Sequence, residues 1–366
     1  MINFISNKLK FENVGRIFYL DQLRVLAIIG VIIIHVSQSF LGVLDISNFN
    51  WIVSDAFFNI ARFAVPIFLA LSGVLLLNRE YKIKEFFKKR LARIISPFIF
   101  WGIIYVLFAF FIQKKFFDFN SVIAGVAFVG KMFLGVGGYL GHFWFVWLIL
   151  SVYLFMPVIN KWIKNSSLKE VEYFLVIWIV TCIFATFKLP YFSLDLSYFA
   201  GPIGYVILGY YLANKDNKIL DNPLLWTAMF IISTVAMAIL TYNNSLKIDD
   251  FAILGRYNLV LVLQTASIFL MFKGFNKKKF FSNKVFNFLK NGLVGALTFS
   301  LSKYSYGIFL VHILFLRLFL MSGIKFTHRT AIIWVPLIFI GILILSWGLL
   351  AILNRIPHLD KITGTH

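Results

Sequence analysis

Two residues with reactive side chains lie on one face of the first long apolar segment. His35 follows Arg24 by eleven residues. In an α-helix that spacing is about 16 Å of rise and about 1100° of rotation, so the two side chains point within about 20° of each other. The arginine can bind an anion, and the histidine can exchange a proton near neutral pH. Because charged groups are costly inside a membrane span, this pair is a candidate active site.

Each residue of the pair also has a purely structural interpretation. Arg24 could anchor the segment by extending its charged end to water, with Asp21 one turn earlier as its ion-pair partner. His35 could be a neutral histidine that is hydrogen-bonded inside a helix bundle. The sequence leaves both interpretations open.

Other polar side chains interrupt later apolar segments. Arg62 lies in the second segment, seven residues after Asp55, so the two can share a helix face. His312 lies seven residues after Ser305, with Tyr304 beside that serine. An interhelical hydrogen-bond cluster would explain the group around His312 as readily as a binding site would.

His142 and Trp144 open the fourth apolar segment, where we expect the outer surface of the membrane. Aromatic residues are common at that depth for physical reasons alone. Taken by themselves, these two residues therefore indicate little about function.

The charged residues favour an anionic ligand. Every acid lies in a predicted loop or at the end of a predicted span, which argues against a carrier driven by protons or sodium ions, since such carriers need a buried carboxylate. Arg90 and Arg93 are spaced so that both can contact one phosphate group at the inner surface.

The elements that position these residues must be membrane helices. Of the 366 residues, 60% are hydrophobic and 14% are charged, and the mean hydropathy is +0.87. The net charge of +20 does not indicate a nucleic-acid-binding protein, because no water-facing domain fits between the apolar segments. The single cysteine, Cys182, excludes an intramolecular disulfide and a cysteine-rich metal site.

Apolar runs of roughly 20 residues predict about ten membrane spans. They lie near 21–44, 56–78, 94–112, 142–160, 173–188, 198–213, 223–242, 256–272, 301–322 and 330–353. An even number of crossings puts both chain ends on one side, and most of the 35 Lys and Arg residues fall in segments on that side. We therefore predict an all-α polytopic transmembrane bundle with cytoplasmic N and C termini.

Three stretches outside the spans are also apolar. The inner loops around Phe86 and around Phe281 have the pattern of helices that lie on the membrane, with lysines attracted to anionic lipids. The stretch 121–141 is apolar enough to form a re-entrant or surface helix.

Several separate motifs resemble acyltransferase family 3, a family of integral membrane proteins. The resemblance covers nearly the whole chain as one domain, 1–366, and departs from the family's commoner residues only conservatively, at Phe143 and Phe309. The matching motifs are Leu20 to Arg24 with His35 after ten intervening residues, Arg62 to Phe68 with Leu71-Ser72-Gly73, Arg90 with Arg93, His142 to Phe145 with Tyr153 and Pro157, and Ser302 to His312.

The resemblance implies a multi-pass enzyme of the cell membrane. The chain is most similar to the short members of the family that O-acetylate surface polysaccharides or their lipid-linked precursors. The resemblance implies acetyl-CoA or another acyl-CoA as donor substrate, with no permanently bound cofactor and no metal. The expected partners are membrane lipids, acyl-CoA and a glycan or glycolipid acceptor, with no nucleic acid, and the oligomeric state is open.

The resemblance also suggests a role for each candidate residue. Arg24, Arg90 and Arg93, with Asp21, would bind the acyl-CoA phosphates, and His35 would act as general base, with a covalent acyl-histidine left open. The residues expected on the acceptor side or in support are Arg62, His142, Trp144, Ser305, His312 and Tyr304. We expect the largest cavity to run from Arg90 and Arg93 past His35 towards the outer face.

Two other classes of function fit the residues alone. A translocator of an anionic lipid-linked sugar could use the same cations to bind phosphate. A structural component of a polysaccharide-export complex could have histidines that are only packed.

Overall fold

The computed structural model describes residues 16–112, 122–136, 140–187, 201–248, 258–277, 287–288, 290–323 and 330–365. Within these residues the regular structure is entirely helical, as predicted. The helices are α1 (Phe18–Leu41), α2 (Phe49–Ile60), α3 (Ala64–Leu76), α4 (Ile83–Phe111), α5 (Val122–Leu134), α6 (Trp144–Asn165), α7 (Leu168–Phe187), α8 (Ile203–Asn214), α9 (Pro223–Ile248), α10 (Leu259–Phe275), α11 (Leu293–Met321), α12 (Ala331–Leu353) and α13 (Leu359–Ile362).

Each predicted span overlaps one of these helices. Within the described residues, seven helical segments are long and apolar enough to cross a membrane, with α2 and α3 counted as one. The helices α8 and α10 are shorter. The chain is therefore a membrane protein, while the number of ten crossings and the sidedness of the termini stay predictions.

The second predicted span is two helices, α2 and α3, separated by a turn at residues 61–63. Pro66, in the first turn of α3, has no amide hydrogen and its ring would collide with the carbonyl of Arg62 in a continuous helix. Across the break, the Gln264 side chain donates to the Asn59 carbonyl at 2.9 Å, and Thr241 donates to the Asn59 side chain at 3.1 Å. These bonds satisfy polar groups that the break leaves inside the bundle.

The start of α2 corrects the expectation that every acid lies in a loop or at the end of a span. Asn48 caps α2 by accepting a hydrogen bond from the Asn50 amide, so the helix begins at Phe49, before the predicted span. Asp55 consequently lies inside α2 and is buried, not in a loop. The argument against an ion-driven carrier therefore loses its support, since a buried carboxylate is present.

Two of the three apolar stretches outside the spans are described by the structure. The stretch around Phe86 is not a separate surface helix, because α4 continues without interruption from Ile83. The stretch 121–141 contains the predicted helix, α5. Phe281 and its neighbours at 278–286 lie outside the described residues.

The helix α1 occupies the middle of the bundle. It packs against α2, α3, α11 and α12, and it contributes to two apolar clusters that lie on either side of it. The neighbouring contact between α3 and α8 depends on small residues. A Cβ on Gly73 would lie 1.8 Å from the Val206 carbonyl oxygen, and one on Gly209 would lie 2.1 Å from that of Ala70. Such close approach is typical of helix pairs in membranes.

Two lysines at the end of α10 bind acids in the loop after α8. Lys273 is buried and donates to the Leu212 and Lys215 carbonyl oxygens at 2.7 and 2.8 Å, which closes the end of α8. It also binds Asp216 at 2.6 Å and so lowers the pKa of that carboxyl group. Lys277 binds Asp216 and Asp221.

Candidate active site

Four cationic side chains line a cavity of about 320 Å³ at one end of the bundle. Arg24 comes from the first turns of α1, Arg90 and Arg93 from the first turns of α4, and Lys303 from α11. Gly364, in the tail after α12, lies in the same wall. All these positions belong to the end of the bundle that the sequence assigns to the cytoplasmic side.

Asp21 lies outside the cavity lining and stabilises the position of Arg24. It is 4% exposed, and it forms ion pairs with Arg16 at 2.8 Å and with Arg24 at 3.5 Å. Ser302 donates to the same carboxylate and accepts a hydrogen bond from Arg24 at 3.1 Å. Asp21 is not part of the cavity lining. Asp21 therefore positions Arg24, and the structure places it outside the space where an acyl-CoA donor would bind.

A second, smaller cavity of about 210 Å³ lies next to the cationic cavity, and we call it the middle cavity. The two share Arg24, Arg90, Tyr153, Ser305 and Tyr306 in their linings. The middle cavity continues away from the charged end along apolar side chains of α3 and α6. A phosphate group bound at the arginines would therefore have an apolar space beside it.

A third cavity, of about 560 Å³, contains His35 in its wall and is called the histidine cavity. Other polar side chains in the lining are Gln38, Arg62, His142, Trp144 and Tyr205, and the remainder is mostly aliphatic and aromatic. This histidine cavity shares Phe145 with the middle cavity. The expectation of one continuous cavity from Arg90 past His35 is therefore wrong, because the space is divided into three cavities in series.

Three histidines from separate segments of the chain meet beside this cavity. The ring centre of His35 lies 5.3 Å from that of His312 and 6.4 Å from that of His142, and the latter two are 5.4 Å apart. His142 and His312 are buried, whereas His35 is partly exposed to the cavity. His35 is thus the most exposed of the three, and His142 also forms part of the cavity lining.

The orientation of the His312 ring is fixed by its own helix. Its Nδ1 lies 2.7 Å from the Phe309 carbonyl oxygen, which can only accept, so Nδ1 carries the hydrogen. In a neutral ring Nε2 then has a free lone pair, and within the described residues it has no hydrogen-bond partner. No group of three His, Cys, Asp or Glu in the described part of the chain is arranged to hold a metal ion.

The structure relocates three residues that the sequence placed on the acceptor side or at the outer surface. His142 is 3% exposed, because a short 3-10 turn at Gly141–Phe143 directs it inward against Tyr105. Ser305 lines the cationic and middle cavities, two helical turns from His312. Tyr304 is buried in the apolar core and lines none of the three cavities.

Several polar residues in the cavity linings were not among the sequence candidates. Lys303 was visible only as a charge in an apolar segment, and this could have identified it. Tyr153 was noted as part of a motif without a role. Gln38 lies one turn after His35 on α1, and Tyr205 comes from α8. These ordinary polar residues become significant only because the fold places them at cavities.

The arrangement can bind an anion at one end and move a proton at the other. Cations at the charged end suit phosphate groups, which they would bind through charge-assisted hydrogen bonds. The imidazole of His35 lies deeper, past an apolar region, and can act as a base or nucleophile.

Comparison with known proteins identifies one match. A family model described as an acyltransferase domain matches residues 17–351. The match includes the lining of all three cavities except Gly364. No curated protein and no solved structure matches the chain.

Proposed function

Because this chain belongs to acyltransferase family 3 and is a membrane acyltransferase, we propose that it transfers an acyl group from acyl-CoA to a glycan hydroxyl. The acyl group is most simply acetyl, the donor is cytoplasmic, and the acceptor is a cell-surface polysaccharide or a lipid-linked glycan at the cell membrane. One observation carries the proposal: a cavity with four cationic side chains adjoins the middle cavity, and only the layer that contains Phe145 separates the middle cavity from the cavity that contains His35.

The cationic cavity suits the phosphate groups of the donor. Arg24, Arg90, Arg93 and Lys303 supply positive charge, and arginine binds phosphate in a bidentate manner. The thioester arm extends through the middle cavity. Along α1, His35 lies about 16 Å beyond Arg24, and this distance is suited to an extended arm between the phosphates and the reacting carbonyl.

His35 acts as the general base. Its ring accepts the proton of the acceptor hydroxyl while the hydroxyl oxygen attacks the thioester carbonyl carbon. The C–S bond then breaks, CoA leaves as a thiolate, and the proton on His35 passes to that sulfur. His312 packs beside His35, with ring centres 5.3 Å apart, and so helps to hold the position of the His35 ring.

The acceptor occupies the histidine cavity. Trp144 offers an aromatic face for a sugar ring, and Arg62 and Gln38 offer hydrogen bonds to its hydroxyl groups. The cavity volume of about 560 Å³ accommodates part of a glycan.

The test is transfer by the purified chain from labelled acetyl-CoA to candidate glycans. We expect His35→Ala to lower the rate by about 10²-fold or more, the contribution of a positioned general base. His358→Asn is the matched control, because His358 is exposed and Asn tolerates its left-handed backbone. Transfer and CoA release by His35→Ala at the wild-type rate would refute the catalytic role. A translocator would move a lipid-linked sugar without consuming acyl-CoA.

A further inference from the structure

A layer of aromatic rings separates the middle cavity from the histidine cavity. Phe145 borders both cavities, Phe68 borders the middle cavity, and Phe309 borders the histidine cavity. The three rings come from three helices, α6, α3 and α11. In the proposed reaction, a thioester that enters from the cationic side must pass this layer to reach His35.

The rings are packed against one another. The ring centre of Phe145 lies 5.1 Å from that of Phe309 and 5.8 Å from that of Phe68. Phe145 is 6% exposed. On the donor side, Tyr306 lies nearly parallel to Phe309 with ring centres 6.3 Å apart. The three rings therefore form one packed group between the two cavities, and we refer to this arrangement as closed.

We propose that Phe145 is a gate residue that admits short acyl groups from the donor side to His35 and excludes long ones. This inference rests on the proposed function. Each aromatic pair stabilises the closed position by about 1 kcal/mol, so rotation of one ring is thermally accessible. The middle cavity of about 210 Å³ is small, and the opening left by one ring suits acetyl better than a long chain.

The closed gate also protects the donor. A water molecule in the histidine cavity would compete with the glycan hydroxyl for the thioester, and enzymes avoid such hydrolysis by excluding water. The aromatic layer keeps the thioester apart from that cavity until the ring turns.

The first arm of the test measures access and needs no acyl transfer. The only cysteine, the buried Cys182, is replaced by serine. Ser72→Cys then reports on the middle cavity and Val65→Cys on the histidine cavity. A membrane-impermeant thiol reagent is added to sealed vesicles on the side of the cationic cavity, and labelling is normalised to the denatured protein.

With Phe145 present, we expect Ser72→Cys to react and Val65→Cys to react at least about tenfold more slowly. Phe145→Ala should remove that difference. Phe155→Ala is the matched control, since Phe155 lies on the same helix and is 61% exposed. Equal labelling of Val65→Cys with Phe145 and with alanine would overturn the gate.

The second arm measures acyl specificity as the ratio of kcat/KM for butyryl-CoA to that for acetyl-CoA. Phe145→Ala should raise the ratio by about tenfold and Phe145→Trp should lower it, whereas Phe155→Ala leaves it unchanged. An unchanged ratio in both Phe145 variants would overturn the specificity role. If wild type consumes no acyl-CoA, the proposed function fails, and the cysteine arm still decides whether Phe145 divides the cavities.

Discussion

The three histidines differ in what each can do, although they lie side by side. His312 is fully buried, and its Nδ1 is committed to the Phe309 carbonyl. His142 is also buried, whereas His35 is the more exposed and lies in the cavity wall together with Gln38. Of the three rings, His35 is therefore the most open to the cavity, although His142 also lines it.

The carboxylate of Asp21 forms ion pairs with two arginines at the cationic cavity. Asp21→Asn keeps the shape of the side chain but removes the charge that Arg16 and Arg24 share. We expect the free energy of unfolding to fall by about 2 kcal/mol, less than for a fully buried pair because both arginines are partly exposed. Thermal unfolding in detergent measures the change, together with the KM for the donor, which should rise.

Asp45→Asn is the control for this substitution. Asp45 is an exposed loop acid that bonds only locally, to Ser47. Equal unfolding temperatures for Asp21→Asn and Asp45→Asn would show that the buried ion pairs do not stabilise α1.

Arg90 and Arg93 are expected to act on donor binding more than on chemistry. We predict that Arg90→Ala and Arg93→Ala each raise the KM for acyl-CoA by about tenfold with little change in kcat, since each removes one charge-assisted hydrogen bond to phosphate. The KM should also become less dependent on salt concentration, because fewer charges remain to be screened.

Lys88→Ala is the matched variant for this pair. Lys88 lies on the same turns of α4, is exposed, and does not line the cavity. If Lys88→Ala raises the KM as much as the two arginine variants do, the effect comes from the general charge of the surface and not from the cavity.

At the scale of elements, α11 connects all three cavities. Lys303 and Ser305 line the cationic cavity, Phe309 borders the histidine cavity, and His312 lies beside His35. Lys303 to His312 is about 14 Å along the axis, similar to the distance from Arg24 to His35 on α1. Two packed helices therefore each carry a cationic side chain and a histidine, and their contact sets the distance between the cationic cavity and the three histidines.

The tail after α12 docks on this same helix. The Gly307 amide donates to the Gly364 carbonyl at 3.0 Å, and the Trp101 indole donates to the Thr363 carbonyl at 3.2 Å. A Cβ on residue 307 would lie 2.7 Å from the Thr363 carbonyl oxygen. We predict that Gly307→Ala displaces the tail, seen as faster hydrogen exchange over 359–365, and raises the KM for the donor because Gly364 lines the cationic cavity.

Gly348→Ala is the control for the tail. It lies in α12 with open space at its Cβ, so alanine there should be neutral or slightly stabilising. Unchanged exchange in the tail of Gly307→Ala would show that the docking contact is not what holds residues 359–365.

At the scale of the whole molecule, the proposed reaction takes its donor from the side of the cationic cavity and its acceptor from the opposite side. We predict that Asp45→Cys, in the Cys182→Ser background, reacts with an impermeant maleimide in intact cells. Lys88→Cys and Arg355→Cys should react only after the membrane is permeabilised. All three positions are exposed, so differences in labelling report the side of the membrane. Labelling of Arg355→Cys in intact cells would contradict a cytoplasmic C terminus.

The sequence by itself determined the class of the protein and most of its elements. Apolar runs of span length can satisfy their backbone groups in a membrane only as helices, so length and composition were enough to predict the all-helical fold. The same rule drew attention to Arg24, Arg62 and His35, because charge in such a run is costly. The family was also recognisable from motifs, and the match over residues 17–351 confirms it.

Only the tertiary structure decided which of these residues meet. His35, His142 and His312 lie on three chain segments far apart in sequence, and most of the helices are apolar on nearly all sides. Since lipid and protein neighbours are equally apolar, the pattern of a membrane helix does not reveal which face packs on which partner. The burial of Asp55, the place of Lys303 and the division of the cavities by Phe145 follow from that packing, which a single sequence does not encode locally.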